Sequence, residues 1–101
     1  MEIEDKAHEI KKEAERALNF YQKRLEDHGI SWSTPTLEVL DQNPKTYTSE
    51  LRIYFYKDKD LFDAFEFFIY QNGALVVSKN EVRQWIQENA EDLLAQQENL
   101  E

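Results

Sequence analysis

Two runs of alternating residues between positions 51 and 70 put large apolar side chains on both faces of a predicted β-hairpin. Successive side chains of a strand point to opposite sides, so one side of each run lines the core. Directly opposed residues of an antiparallel pair share a face, so the two apolar sets form one core only if odd-numbered residues oppose odd-numbered ones. The predicted core set of this hairpin is Leu51, Ile53, Phe55, Phe65, Phe67 and Ile69.

This parity rule predicts the connection between the two runs. It requires a loop of odd length around 58–60, and one such register places Arg52 opposite Glu66, where the two would form an ion pair. A two-residue turn would send Glu66 into the core, so we expect the longer loop.

An Asn-Gly dipeptide at 72–73 predicts a second hairpin with a type I′ turn. This turn places Tyr70 opposite Leu75 and Phe68 opposite Val77. The outer face of the sheet is then too apolar for the solvated side of a simple antiparallel sheet. Its predicted members are Tyr54, Tyr56, Phe68, Tyr70, Leu75 and Val77, with Glu50, Arg52 and Glu66 among them.

Helical periodicity predicts amphipathic helices over 3–28 and 79–95. Gly29 favours the left-handed residue that ends the first helix, and Ser78 with Glu81 forms a capping box that begins the second. The fold class is therefore α+β, a single domain over 1–101 in the order α-β-β-β-β-α. Its antiparallel three- to four-stranded sheet is flanked by the two helices. The other predicted elements are strands at about 36–40, 46–57, 62–70 and 74–77, and a frayed tail at 96–101.

Charge and composition exclude several function classes. A net charge of −9 argues against direct binding to nucleic acid or to an anionic membrane surface. The absence of cysteine excludes disulfides and thiolate metal sites. The acidic, helical N-terminal segment does not have the pattern of a signal peptide, and no apolar run reaches membrane-spanning length. We therefore expect a cytoplasmic protein.

No group of residues in the sequence indicates catalysis. His8 and His28 lack a second ligand at metal-binding spacing, and the acidic segment at 58–63 departs from the calcium-loop pattern. Glu66 has no second carboxylate placed to make a catalytic pair, so we interpret it as structural. The expectation is a protein with no enzymatic activity, cofactor or metal.

Three interpretations of the apolar outer face remain open. A helix covers this face, or the sheet curls around a helix, and nothing is exposed. Alternatively, the face pairs with itself in a symmetric homodimer. In the third interpretation it is an exposed patch that docks another protein, for which tyrosines with a rim of charged residues are typical.

The last helix has an excess of acidic residues, and its candidate contact residues are Glu88, Glu91 and Asp92. An acidic stripe suits a basic protein surface, and it equally suits a solvated helix face. Together with the outer face, it predicts a small acidic protein-binding module, such as an inhibitor or immunity-type protein that docks on a basic protein surface. The candidate binding residues are Tyr54, Tyr56, Phe68, Tyr70, Glu66, Arg52, Glu88, Glu91 and Asp92.

Two alternative functions accompany this prediction. One is a structural homodimer that uses the outer sheet face. The other is a small-molecule-binding domain with a pocket near Trp32, Tyr54 and Trp85. No motif assigns the chain to a family.

Overall fold

The computed structural model describes residues 2–99, without the side chain of Glu2. The α+β fold class is confirmed: two long helices flank one antiparallel sheet. The elements in chain order are α1 (Glu2–Phe20), α2 (Gln22–Asp27), β1 (Ile30–Trp32), β2 (Thr36–Asp41), β3 (Thr48–Lys57), β4 (Asp60–Gln71), β5 (Ala74–Leu75) and α3 (Lys79–Glu98). Within the described range, no helix is both long and apolar enough to cross a membrane.

The central strand of the sheet is β3. It pairs with β4 on one side, and with β1 and β2 in succession on the other, always antiparallel. Ser33 joins β1 to β2 along this edge. Its N–H donates to the Tyr54 carbonyl at 2.9 Å, and its Oγ accepts the Tyr54 N–H at 3.0 Å. The side chain thus replaces a ladder hydrogen bond where the chain bends toward Pro35.

Both long helices cover the same face of the sheet. Helices α1 and α3 pack against each other, and their buried residues form one cluster with the inner residues of the sheet. On β3, Leu51, Ile53 and Phe55 are fully buried in this cluster, as the parity rule predicts. The sheet and the two helices therefore form two layers around one core.

The helix predicted over 3–28 is divided in two at Tyr21. The Tyr21 N–H donates to Leu18 at 2.9 Å, which tightens the last turn of α1. The segment 19–21 combines an asparagine with two aromatic residues, which are poor helix formers. Leu18, Tyr21 and Leu25 all remain buried across the break.

The predicted helix-end signals are present. Gly29 has φ +74°, and its N–H donates to Glu26 at 2.9 Å. At the start of α3, Ser78 Oγ accepts the Glu81 N–H at 3.2 Å and donates to its carboxylate at 3.1 Å. Helix α3 extends three residues beyond the predicted end, to Glu98, and residues 100–101 of the predicted tail lie outside the described residues.

The first hairpin keeps the predicted register with a different turn. Arg52 opposes Glu66, yet the connection is a two-residue turn in which Asp58 and Lys59 have φ values of 51° and 76°. A bulge at Phe62 supplies the additional residue that the parity rule demands. The prediction of an odd-length loop is therefore wrong, because a bulge inside a strand changes parity as effectively as a longer loop.

A second bulge, at Ile69, overturns part of the predicted outer face. Phe68 opposes Glu50, while Tyr70 opposes Ser49, so Ile69 is the additional residue. Alternation is interrupted here, and Tyr70 turns into the core, where it is 4% exposed. Its ring packs edge-on against Tyr47, with 5.6 Å between the ring centroids.

The end of the second hairpin also differs from the prediction. Tyr70 opposes Leu75 as expected, but β5 ends at Leu75, and Val77 is buried instead of facing outward. Tyr70, Val77 and Leu75, which shares a face with the Tyr70 that it opposes, therefore do not belong to the outer face. The remaining predicted members keep their places on it.

The Ile69 bulge predicts opposite behaviour for two neighbouring aromatic residues. Tyr70→Ala removes a buried ring and should lower the free energy of unfolding by roughly 3–5 kcal/mol. Phe68→Ala removes a ring that is 42% exposed and should lower it by about 1 kcal/mol. Urea denaturation of both variants measures the difference. A larger loss for Phe68→Ala would mean that the strand alternates without a bulge.

Two glycines with positive φ form a second matched pair. A Cβ on Gly73 would lie 2.5 Å from the Lys45 carbonyl oxygen, whereas a Cβ on Gly29 would lie 3.5 Å from Asp58 Oδ1. Gly29→Ala should cost about 1–2 kcal/mol from left-handed strain alone. Gly73→Ala should cost clearly more because the 44–46 loop must move. Equal losses in thermal unfolding would contradict this close approach.

Candidate functional site

Among residues 2–99, no long helix lies over the outer face of β3 and β4. The buried residues of α1 and α3 join the core cluster on the opposite face. On the outer face, Tyr54 and Tyr56 are half-buried, and Phe68 is about two-fifths exposed. The first of the three interpretations, in which a helix covers this face, therefore does not hold for residues 2–99.

One arginine organises the charges of this face. Arg52 Nε lies 2.8 Å from Glu50 Oε1, and the Glu50 residue is only 8% exposed. Hydrogen bonds to Glu50, and then to Tyr54, raise the pKa of Arg52 above its usual value. The guanidinium thereby links an enclosed carboxylate to one of the candidate tyrosines.

Glu66 does not form the predicted ion pair. It opposes Arg52 across the strands, but the guanidinium turns along its own strand to Glu50 instead. Glu66 is exposed, and no cation lies within ion-pair distance of it among residues 2–99. Glu38, which opposes Glu50 on the other side of β3, is also exposed. The outer face therefore presents carboxylates that its single arginine does not neutralise.

The acidic residues of α3 form a separate surface. The buried stripe of α3 faces the core, and Glu88, Glu91 and Asp92 lie off this stripe and are exposed. Glu91 pairs with Arg24 of α2 at 3.0 Å, so part of the negative charge is compensated. Burial, and then the charge and hydrogen bond of Glu91, raise the pKa of Tyr21. These acidic residues are not part of the outer sheet face, because α3 packs on the opposite face of the sheet.

The three aromatic residues of the predicted small-molecule pocket do not come together. Trp32 borders open depressions beside α1 and α2, whereas Trp85 stacks on Phe67 at the other side of the sheet, 5.2 Å between ring centroids. Tyr54 lies on the outer face. The prediction of one pocket near these residues is wrong, because β3 and its alternation separate them.

The described part of the chain contains no cluster of side chains that suits metal binding or nucleophilic catalysis. Within residues 2–99, no three His, Cys, Asp or Glu side chains come close enough to hold a metal ion. Among the described residues, the one buried side-chain nitrogen or oxygen without a hydrogen-bond partner is Ser49 Oγ, at the strand position that opposes Tyr70.

Sequence reasoning missed the open edge of β4. β5 pairs only with Tyr70 and Gln71, so most of this twelve-residue strand has no neighbour on that side in the described structure. Leu61 is 60% exposed there. A signal was available: the helix cap at Ser78 leaves only four residues after the 72–73 turn, too few to cover the preceding strand.

Comparisons with known proteins add no assignment. No protein-family model matches the chain, and neither the curated proteins nor the solved structures include a match.

The Arg52–Glu50 pair gives a prediction about the stability of the outer face. Arg52→Met should lower the free energy of unfolding, because it leaves the enclosed Glu50 carboxylate without its partner. The double variant Arg52→Met/Glu50→Gln should recover part of this loss. Denaturant unfolding of the four-protein cycle measures the coupling. Additive losses would show that the pair does not hold the face together.

Proposed function

We propose that this chain is a small acidic protein-binding module that docks a basic protein surface on the outer face of its sheet. The observation that carries the proposal is that both long helices cover one face, while no long helix among residues 2–99 covers the other. Fully formed antiparallel sheets with a solvated side usually place polar residues there. Here that side presents Tyr54, Tyr56 and Phe68.

The composition of this face supports a protein partner. Tyrosine, phenylalanine and arginine are enriched in the contact centres of protein interfaces, and the charged rim sets orientation. Glu38 and Glu66 are exposed and lack a cationic partner within residues 2–99, so a basic surface would complement them. An inhibitor or immunity-type role is the most concrete form of such a module. Basic partners and a net charge of −9 favour fast association.

A matched pair of variants tests the face. Tyr56→Glu places a charge among the outer aromatic residues, and Phe20→Glu makes a similar change at a helix residue that is 83% exposed. In capture experiments from the source cell, wild type and Phe20→Glu should retain the same basic partner, and Tyr56→Glu should lose it. Retention by Tyr56→Glu with loss by Phe20→Glu would place binding on the helices. Association should slow as salt rises.

Absolute molar mass distinguishes this proposal from a homodimer. Light scattering behind a sizing column should give a monomer at all concentrations. A dimer that Phe68→Glu dissociates would assign the outer face to self-association and count against the module. Tyr70→Glu is not a usable probe here, because Tyr70 is buried and the variant would unfold.

A further inference from the structure

We infer that the open edge of β4, between Asp60 and Phe68, binds an extended basic segment of a partner protein as an additional strand. The pairing of β4 with β5 covers only Tyr70 and Gln71, and the Val76 N–H adds one bond to Ile69 at 2.8 Å. Along the rest of this edge, no element of residues 2–99 pairs with the strand.

The direction of the backbone groups follows from the other side of the sheet. Tyr54 directs both its N–H and its carbonyl to Ser33. In an antiparallel ladder, opposed residues either exchange both hydrogen bonds or none. Tyr54 and Ala64 are opposed and therefore exchange none, so Ala64 points its N–H and carbonyl at the open edge. By alternation, Glu66 and Phe68 do the same.

A groove beside this edge is shaped for alternate side chains of an added strand. Side chains of such a strand would point in turn to the inner and outer sides of the sheet. On the inner side, Trp85 stacked on Phe67 forms an apolar floor. This open groove of about 480 Å³ is lined by Glu66, Phe67, Phe68, Gln71, Val76, Trp85 and Asn89.

Charge decides which strand fits. The edge carries Asp60, Asp63 and Glu66, and residues 60–71 contain no lysine or arginine. Pairing this edge with the same edge of a second copy would bring two sets of carboxylates together, which is unfavourable between opposed residues. Asp60 and Asp63 lie on the inner side, because they oppose Lys57 and Phe55, whereas Glu66 and Phe68 lie on the outer side. A segment that alternates basic and apolar residues would meet Asp60 and Asp63 with its cations on the inner side and Phe68 with its apolar side chains on the outer side.

In the unbound protein, the side chain of Asp63 occupies a backbone donor of the open edge. Its Oδ1 accepts the Ala64 N–H at 2.8 Å, which occupies a donor that an added strand would use. Charged residues on exposed edges limit non-specific strand pairing. An incoming lysine or arginine offers this carboxylate another partner, so a basic strand can release the donor where a neutral strand cannot.

A proline substitution separates strand addition from simple charge attraction. Ala64→Pro removes the outward N–H without removing a β3–β4 hydrogen bond, and proline is tolerated at such edge positions. Ala64→Val is the matched control, since it keeps the N–H. The probe is a short peptide that alternates lysine with valine, compared with its glutamate–valine counterpart. Melting curves establish that both variants remain folded.

The expected result is binding of the lysine peptide to wild type and Ala64→Val, with affinity at least about tenfold lower for Ala64→Pro and for the glutamate peptide. Amide hydrogen exchange at Ala64, Glu66 and Phe68 should slow by about tenfold when the lysine peptide is bound. Equal binding to Ala64→Pro, or protection elsewhere, would overturn the inference. A dimer that Ala64→Pro dissociates would assign the edge to a second copy and also overturn it.

This inference deepens the proposed function and rests on it for the existence of a protein partner. The two fail separately. If the captured partner is lost by Tyr56→Glu but kept by Ala64→Pro, the module stands and strand addition falls. If Tyr56→Glu and Phe20→Glu both keep the partner, the outer face is not the contact, while the peptide measurements still decide whether the edge accepts a strand.

Discussion

The opposition of two apolar rows on β3 and β4 is the constraint on which the rest of the structure depends. Leu51 and Ile53 are fully buried, with Phe67 and Phe65 across from them on the same face, and the buried Phe55 packs its ring against Phe65. A shift of one residue would expose one row and bury charge. The chain satisfies this condition with a tight turn and a bulge at Phe62, which together do what a longer loop would do.

Having both helices on one face follows from this single core. The buried stripes of α1 and α3 join the inner face of the sheet in one cluster. Among residues 2–99, no further element covers the outer face or pairs with the open edge of β4. Two surfaces therefore stay accessible: the outer face with its aromatic side chains, and the edge of β4 with its backbone groups. They meet at Glu66 and Phe68.

Electrostatics distinguish these surfaces from the acidic last helix. Arg24 of α2 pairs with Glu91 at 3.0 Å, so a neighbouring helix compensates part of the charge of α3. Arg52 is engaged by Glu50 within its own strand, which leaves Glu66 without a cation in the described structure. Where the carboxylates lie is therefore more informative about binding than the net charge of −9. Carboxylates without a cationic partner lie beside the aromatic face and the open edge.

Local sequence signals determined the fold class, the ends of the helices, the Asn-Gly turn and the odd-numbered core of the central hairpin, because each depends on residues close in the chain. The cap at Ser78 even limited the length of β5. Only the tertiary structure decided that Tyr70 lies inside and Phe68 outside, and that Arg52 pairs with Glu50. The reason is that a bulge and a longer loop satisfy the same parity. The choice between a bulge and a longer loop depends on packing contacts with helices that are distant in the sequence, so it cannot be read from the residues of one strand.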